Sequence, residues 1–186
     1  MNLKKKGCLY IISSVAGGGK STLINMLVKK YPAIKFSVSF TTRSIRPGDE
    51  PGITYYFIER DEFEYLIEKE FFYEWAIVHD NYYGTPKYFI IDNMELGNDI
   101  ILDIDVQGAE QVKKFLPEAK TIFIMPPSEE IWIKRLIDRK TDSEQSIQRR
   151  IQNGKKELLK AESYDYRIIN DDLHSAFDEL EKIIVP

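Results

Sequence analysis

The residues best suited to chemistry in this chain form one segment, Ser14-Val15-Ala16-Gly17-Gly18-Gly19-Lys20-Ser21-Thr22. Consecutive glycines can adopt positive φ, so main-chain N–H groups can turn inward with no side chain in the way. A helix that begins near Lys20 directs the positive end of its dipole to the same point. Lys20 adds a mobile positive charge, and the hydroxyl of Ser21 can bind Mg²⁺. The segment is therefore predicted to hold the phosphates of a nucleotide.

The neighbouring residues supply the elements that such a loop requires. Residues 8–12 are an apolar run typical of a short buried strand, and residues 23–30 have the apolar spacing of a helix. The usual loop pattern begins with glycine five residues before Gly19, where this chain has Ser14. We expect Ser14 to alter the opening turn and not the phosphate cradle. The alternative is a flexible loop that only happens to precede a lysine, but strand, loop and helix all agree with phosphate binding.

A carboxylate at the end of another apolar segment extends this prediction. Residues 100–102 are apolar and run into Asp103. Because the carboxyl ends of parallel strands meet at one edge of a sheet, Asp103 can lie beside the glycine loop. There it can hold Mg²⁺ directly or through water.

Several arginines flank the polar residues 140–143: Arg135, Arg139, Arg149 and Arg150. A solvated helix face is one interpretation of this cluster. However, Arg135 and Arg139 are four residues apart on the same predicted helix, and like charges at that spacing repel unless an anion lies between them. The cluster therefore predicts a lid that closes over phosphates and excludes water.

A second group of residues suits a phosphate monoester. Arg43 and Arg46 lie three apart in a turn, and Tyr55 and Tyr83 add hydroxyl groups. Glu74 lies in an apolar context and requires hydrogen-bond donors. An arginine or the main chain could supply them, or a guanine base, whose N1–H and N2–H₂ form a parallel pair of donors that adenine lacks.

Length and composition limit the classes of protein. The 186 residues suit one domain, and a net charge of −4 disfavours general attraction to nucleic acid or to an anionic membrane. Cys8 is the single cysteine, so no disulfide within the chain is expected. No apolar stretch approaches the ~18 residues of a membrane span, and the apolar run after the basic start is too short for a signal peptide. We expect a cytoplasmic protein with no nucleic-acid or membrane partner.

Apolar patterning predicts strands that alternate with helices, which is typical of a parallel sheet covered on both faces. The predicted strands are residues 8–12, 34–40, 55–58, 71–78, 81–85, 100–105, 120–125 and 166–169. The predicted helices are residues 23–30, 60–69, 87–96, 108–116, 129–138, 143–161 and 173–184. Asp61 is the predicted N-cap of the second helix. Residues from about 40 to 90 are predicted to form a small β-rich insertion with one helix.

From residue 7 to residue 185, the chain resembles guanylate kinases. The motifs that carry the resemblance are the glycine loop, residues 37–48 (SVSFTTRSIRPG), Glu74-Trp75-Ala76, residues 81–85 (NYYGT), residues 101–108 (ILDIDVQG) and residues 169–172 (INDD). The chain departs from the family at Ser14-Val15, where Gly-Pro is usual, and at Ser44-Ile45, where a proline is common. Neither departure removes a charged contact.

The resemblance implies an α/β fold of the P-loop nucleoside-monophosphate-kinase type. This fold has a parallel sheet with helices on both faces, a small β-rich GMP-binding insertion and a helical lid. It implies a single domain over residues 1–186, with the core at 1–36, 88–134 and 151–186, the GMP-binding subdomain at 37–87 and the lid at 135–150.

The resemblance also implies roles for individual residues. Those implied to hold the GMP phosphate are Arg43, Arg46, Tyr55 and Tyr83, and those implied to read guanine are Ser39, Glu74, Thr85 and Asp105, with Asp103 near the metal. Those implied to act on the transferring phosphoryl group are Lys20, Arg43, Arg135, Arg139 and Arg150. ATP is implied to bind the glycine loop, with Asn170 beside its adenine.

The implied activity is Mg²⁺-dependent transfer of the ATP γ-phosphoryl group to GMP, and to dGMP, by a monomer or homodimer in purine nucleotide metabolism. Two alternatives stay open. Non-catalytic modules of this family bind proteins, but they typically lack the intact glycine loop or lid that this sequence contains. A kinase for another nucleoside monophosphate is disfavoured by Glu74 and Thr85.

Overall fold

The computed structural model describes residues 6–78, 80–138 and 144–186. These residues divide into two compact units. The first takes in residues up to Tyr10 together with Ala33–Asp103 and Gln107–Ala119. The second takes in Ile11–Pro32, Ile104–Val106 and Lys120–Pro186.

The described residues alternate between strands and helices, as the patterning predicts. The strands are β1 (Leu9–Ser14), β2 (Lys35–Ser37), β3 (Phe40–Thr41), β4 (Tyr56–Phe57), β5 (Phe72–Val78), β6 (Asn81–Pro86), β7 (Ile100–Asp103), β8 (Lys120–Met125) and β9 (Tyr166–Ile169). The helices are α1 (Lys20–Lys30), α2 (Arg60–Glu68), α3 (Lys87–Leu96), α4 (Val106–Phe115), α5 (Glu129–Asp138), α6 (Glu144–Lys160) and α7 (Leu173–Ile184), with a short 3₁₀ turn at Ala161–Ser163.

The larger sheet has the strand order β2-β7-β1-β8-β9 among the described residues. In the first unit β2 pairs in parallel with β7, and in the second β8 pairs in parallel with β9. Most residues of β1, β7 and β8 are buried, because a parallel sheet flanked by helices excludes water from both faces. The predicted α/β class is therefore confirmed.

The smaller sheet lies wholly in the first unit and has the order β4-β3-β6-β5. Strand β6 is antiparallel to both β3 and β5. Phe63 of α2 packs on this sheet, with its ring stacked on Phe72 at a centroid distance of 4.4 Å and on Tyr82 at 5.0 Å. A Cβ at Gly84 would lie 2.8–2.9 Å from the Phe63 and Phe72 rings, so only glycine fits beneath them.

The second unit has a cluster of buried side chains around Trp132. The members are Val15, Phe123, Trp132, Leu136 and Ala161. Trp132 belongs to α5 and Val15 to the glycine loop. The helix that leads toward the predicted lid is therefore packed directly against the predicted phosphate loop.

Two local predictions were wrong. Residues 34–40 were expected to form one strand, but the chain forms β2 and β3, which belong to different sheets. Helix α2 begins at Arg60, and its N-cap position is Glu59, which makes no side-chain capping bond. Asp61 lies in the first turn instead, where its charge favours the helix through the dipole.

No helix among the described residues is long and apolar enough to cross a membrane.

Candidate active site

The glycine segment forms the strand, loop and helix that the sequence predicts. It connects β1 to α1, and Gly19 occupies the N-cap position of that helix. Gly17 has φ +87° and Gly19 has φ +91°, conformations that other residues rarely adopt. The loop closes on itself through a 3.0 Å hydrogen bond from the Gly18 N–H to the Val15 carbonyl. This backbone is typical of a loop that directs N–H groups to an anion.

Side chains from elsewhere in the second unit hold the carbonyl groups of this loop. The indole N–H of Trp132 donates to the Ala16 carbonyl at 2.7 Å, and the amide of Asn170 donates to the Gly18 carbonyl at 2.9 Å. Because these carbonyls are already occupied, the loop conformation is fixed before any ligand binds.

The Ser14 side chain is held by main-chain carbonyl groups. Its hydroxyl donates to the Ile124 carbonyl at 2.8 Å and approaches the Val15 carbonyl at 3.1 Å. A Cβ at Gly18 would lie only 1.9 Å from the Ser14 oxygen. The extra atoms of Ser14 therefore occupy space that a side chain at residue 18 would need.

The first turn of α1 carries the polar residues of the segment. Lys20 is half-buried, whereas Ser21 and Thr22 are exposed. The positive charge of Lys20 interacts with the carboxyl group of Glu157, which belongs to α6. Burial and the negative charge of Asp105 raise the pKa of Glu157 to about 7, and the positive charge of Lys20 opposes part of the rise. Lys20, Asp105 and Glu157 are therefore brought close enough to interact.

Three of the four arginines of the predicted lid cluster, Arg135, Arg149 and Arg150, lie in helices of the second unit. Arg135 donates to the Asn170 carbonyl at 3.1 Å, so it is linked through Asn170 to the glycine loop. Arg150 is buried, with 9% of its surface exposed, whereas its neighbour Arg149 is exposed. Arg139 lies outside the described residues.

In the first unit, Arg43 is held by Asp49. The guanidinium donates to the two carboxylate oxygens at 2.9 Å and 3.2 Å, and the Asp49 carboxylate also accepts the Arg46 N–H at 2.7 Å. These bonds to Arg43 and Arg46 hold the pKa of Asp49 below its usual value. Burial lowers the pKa of Arg43, but the hydrogen bonds to Asp49 and the charge interactions with Tyr83, Asp49 and Tyr55 together outweigh it, so the pKa is raised.

Aromatic rings surround the same guanidinium. Arg43 lies 5.3 Å from the centre of the Tyr55 ring and 5.5 Å from that of Phe57, and the Tyr55 and Tyr83 rings are 5.8 Å apart. Burial and the nearby charge of Asp103 raise the pKa of Tyr55, so its hydroxyl stays protonated and can donate. The structure thus brings Arg43, Tyr55 and Tyr83 together, while the Arg46 side chain is exposed.

The residues predicted to read guanine include a buried hydrogen-bonded pair. Glu74 and Thr85 lie opposite each other on β5 and β6, and the Thr85 hydroxyl donates to the Glu74 carboxylate. Glu74 is 4% exposed and Thr85 is fully buried. Ser39 is also buried in this unit, and Asp103 is half-buried at the end of β7. Such a carboxylate can accept two parallel donors.

Similarity to known proteins agrees with this geometry. A family model for guanylate kinase matches residues 6–185. The chain belongs to the guanylate kinase family. It is 47% identical over 180 residues to a guanylate kinase of Pseudoalteromonas translucida (strain TAC 125), covering 97% of this chain and 87% of that relative. It is 44% identical to one of Caldanaerobacter subterraneus subsp. tengcongensis, covering 100% and 90%. The crystal structure of guanylate kinase from Anaplasma phagocytophilum matches with a TM-score of 0.83 at 34% identity, covering 97% and 86%.

Several residues of this guanylate kinase with a place in the site were not predicted. Asp49 had a signal, since an acid in a turn with two arginines is a natural ion-pair partner. Trp132 and Glu157 are distant from the loop in sequence and come near it only when the chain folds, so no local sequence pattern indicated them.

Proposed function

We propose that this chain transfers the γ-phosphoryl group of ATP to GMP and gives ADP and GDP, in purine nucleotide metabolism. Membership of the guanylate kinase family supports this activity. The observation within the chain that best supports the acceptor is the buried Glu74–Thr85 pair. Guanine offers two parallel donors to such a carboxylate, whereas adenine does not. dGMP carries the same base and is proposed as a further substrate.

The donor half of the reaction falls to the second unit. We propose that the N–H groups of the glycine loop and the charge of Lys20 bind the ATP phosphates, with Asn170 beside the adenine. Arg135 and Arg150 would then place positive charge on the transferring group, together with Arg139. Because a phosphoryl group moves through a loose transition state, alignment and charge supply most of the catalysis.

The acceptor half falls to the first unit. We propose that the GMP phosphate is bound by Arg43, Arg46, Tyr55 and Tyr83. We propose that the base is contacted by Ser39, Glu74 and Thr85, and by Asp105 of the second unit. The attacking atom is a phosphate oxygen, which is largely deprotonated near neutral pH. No side chain is therefore required as a general base.

The residues present fit a magnesium ion that arrives with ATP. Among the described residues, no cluster of three or more His, Cys, Asp or Glu side chains is placed to hold a metal. Mg²⁺ keeps several waters and binds mainly to nucleotide phosphates, so it needs few protein ligands. When bound, the ion neutralises phosphate charge. Ser21 and Asp103 are the oxygen ligands that we propose.

We propose that the enzyme acts in the cytoplasm, where nucleotides are interconverted, as a monomer or a homodimer. The small-molecule substrates ATP and GMP follow from the family. A net charge of −4 supports the proposal that nucleic acids and membranes are not partners.

A coupled assay of ADP release with GMP, dGMP, AMP, UMP and TMP in parallel tests the substrate class. We expect turnover with GMP and dGMP and none above background with the other three. Activity with AMP or UMP equal to that with GMP would contradict the assignment of the base pocket.

Adjacent arginines on α6 provide a matched test of the catalytic group. Arg150→Ala is expected to lower kcat by about 10³-fold, the effect typical of an arginine that stabilises a phosphoryl-transfer transition state. Arg149→Ala, at the exposed neighbouring position, is expected to change kcat less than about twofold. A loss below about fivefold in Arg150→Ala would remove Arg150 from the catalytic set.

A further inference from the structure

Strand β5, which carries Glu74, has a bulge just before that residue and an unpaired edge. Strand β5 is the last strand of the smaller sheet, so one side of it has no neighbouring strand. Its pairing with β6 shifts register between Phe72 and Glu74, which leaves Tyr73 as an extra residue. A bulge of this kind bends a strand and changes the direction of the next side chain. The direction of Glu74 therefore depends on what holds the strand after the bulge.

Helix α4 supplies that support through a glutamine. The amide nitrogen of Gln111 donates to the Trp75 carbonyl at 2.8 Å, and the Trp75 N–H donates to the Gln111 amide oxygen at 3.4 Å. A single primary amide thus contacts both main-chain groups of one residue, as a neighbouring strand would. The amide of Gln107 reaches the Ile77 carbonyl at a longer 3.5 Å.

The spacing of the two glutamines matches the spacing of the strand. In an antiparallel ladder, alternate residues direct their main-chain groups to opposite sides, so Trp75 and Ile77 both face the open edge. Two such residues are about 6.8 Å apart along a strand. Residues four apart on a helix are about 6 Å apart along its axis. Gln111 and Gln107 can therefore contact Trp75 and Ile77 at the same time.

We propose that Gln111, assisted by Gln107, is a positioning residue for guanine recognition, because its amide fixes β5 at Trp75 and so fixes the carboxylate of Glu74. The proposal rests on the proposed role of Glu74 as the carboxylate that reads guanine. Gln111 touches neither substrate nor the transferred group; it acts through the adjacent residue of the strand.

The orientation of Glu74 matters because the carboxylate has to meet two donors of the base at once. One of its oxygens already accepts the Thr85 hydroxyl, which limits how it can turn. A small rotation of the strand at Trp75 would misalign the carboxylate with the base but would leave the second unit, with its glycine loop, untouched. Loss of Gln111 should therefore affect GMP and not ATP.

Gln111→Met tests the proposal, because methionine has nearly the same length and helix propensity but cannot form the two hydrogen bonds. We expect KM for GMP to rise about 5- to 20-fold, the effect of losing one or two hydrogen bonds next to the site. The values of KM for ATP and kcat at saturating GMP should change less than about twofold. Lys114→Met, at an exposed position of the same helix, is the matched control and should leave all three unchanged.

A second measurement separates positioning from general destabilisation. IMP lacks the 2-amino group of GMP, so the ratio of kcat/KM for GMP to that for IMP reports how well the carboxylate meets both donors. We expect Gln111→Met to reduce this ratio. In a Glu74→Gln background, the same change should alter kcat/KM for GMP less than about twofold, because the residue through which it acts is already lost. Thermal unfolding of each variant verifies that the protein is folded.

Two different failures can be told apart. If Glu74→Gln leaves kcat/KM for GMP unchanged, the assignment of the guanine pocket is wrong. If Glu74→Gln lowers it strongly but Gln111→Met changes KM for GMP and for ATP equally, or neither, then Gln111 is not a positioning residue. Full additivity in the double variant would also overturn the proposal.

Discussion

We expect Glu157 to make the folded protein less stable as the pH rises toward about 8. Burial raises the pKa of this acid from its ordinary 4.5 to about 7. The folded state therefore binds a proton more tightly than the unfolded state. By linkage, the resulting stabilisation is complete below about pH 4.5 and is lost as the pH rises through about 7. Glu157→Gln, which mimics the protonated acid, should remove this dependence.

The magnitude follows from the size of the pKa change. A shift from 4.5 to about 7 corresponds to a penalty of about 3 kcal/mol for the charged form at high pH. Because the side chain is only half-buried, water screens part of this penalty, and we expect about 1 to 2 kcal/mol. Glu157→Gln should therefore exceed the native protein in stability by only a small part of that amount at pH 5 and by the full amount at pH 8.

Urea denaturation at several pH values between 5 and 8 measures this difference, provided that the slope with denaturant is unchanged. Glu179→Gln, at an exposed position of α7, is the control and should leave the pH dependence of the native protein intact. A variant that is less stable than the native protein at pH 8 would refute the reasoning. That result would mean that the attraction of Lys20 outweighs the cost of burial and keeps the carboxylate charged.

Three further changes test the surroundings of the glycine loop. Gly18→Ala should weaken ATP binding about tenfold in a calorimetric titration, because its Cβ would lie 1.9 Å from the Ser14 oxygen. The double variant with Ser14→Gly removes this clash and should bind ATP within about threefold of the native affinity. Trp132→Phe removes the hydrogen bond to Ala16, and we expect KM for ATP to rise about 3- to 10-fold with KM for GMP unchanged. Gly154→Ala places a Cβ 2.3 Å from the Trp132 ring, and urea denaturation should show a loss of about 1 to 2 kcal/mol; a gain would mean that helix propensity outweighs the clash.

Much of the fold could be predicted because its signals are local. The strand at Lys120–Met125 and the helices at Lys87–Leu96 and Leu173–Ile184 have the predicted bounds, since periodic apolar residues end at proline, glycine or a capping acid. The break between β2 and β3 was not predicted, because the alternating pattern of residues 34–40 continues across it and only long-range pairing divides the strand.

In the candidate site, too, local features could be predicted from the sequence and long-range contacts could not. The glycine loop, Arg43 and Glu74 were predicted because residue type and spacing imply their chemistry. The side chains that hold the glycine loop and strand β5 were not predicted, because they come from distant parts of the chain. Trp132 is more than a hundred residues from Ala16, and Gln111 is on a different element from Trp75. Burial, which raises the pKa of Glu157, likewise exists only in the folded chain.

The ion pair of Arg43 and Asp49 has a consequence for the speed of turnover. An arginine whose charge is already balanced by a carboxylate attracts an incoming phosphate less strongly than a solitary one would. The guanidinium also needs no reorientation, because Asp49 holds it in place beforehand. For an arginine that we propose to bind the GMP phosphate, this arrangement favours moderate affinity with little reorganisation, so release of the nucleoside diphosphate after each cycle should be rapid.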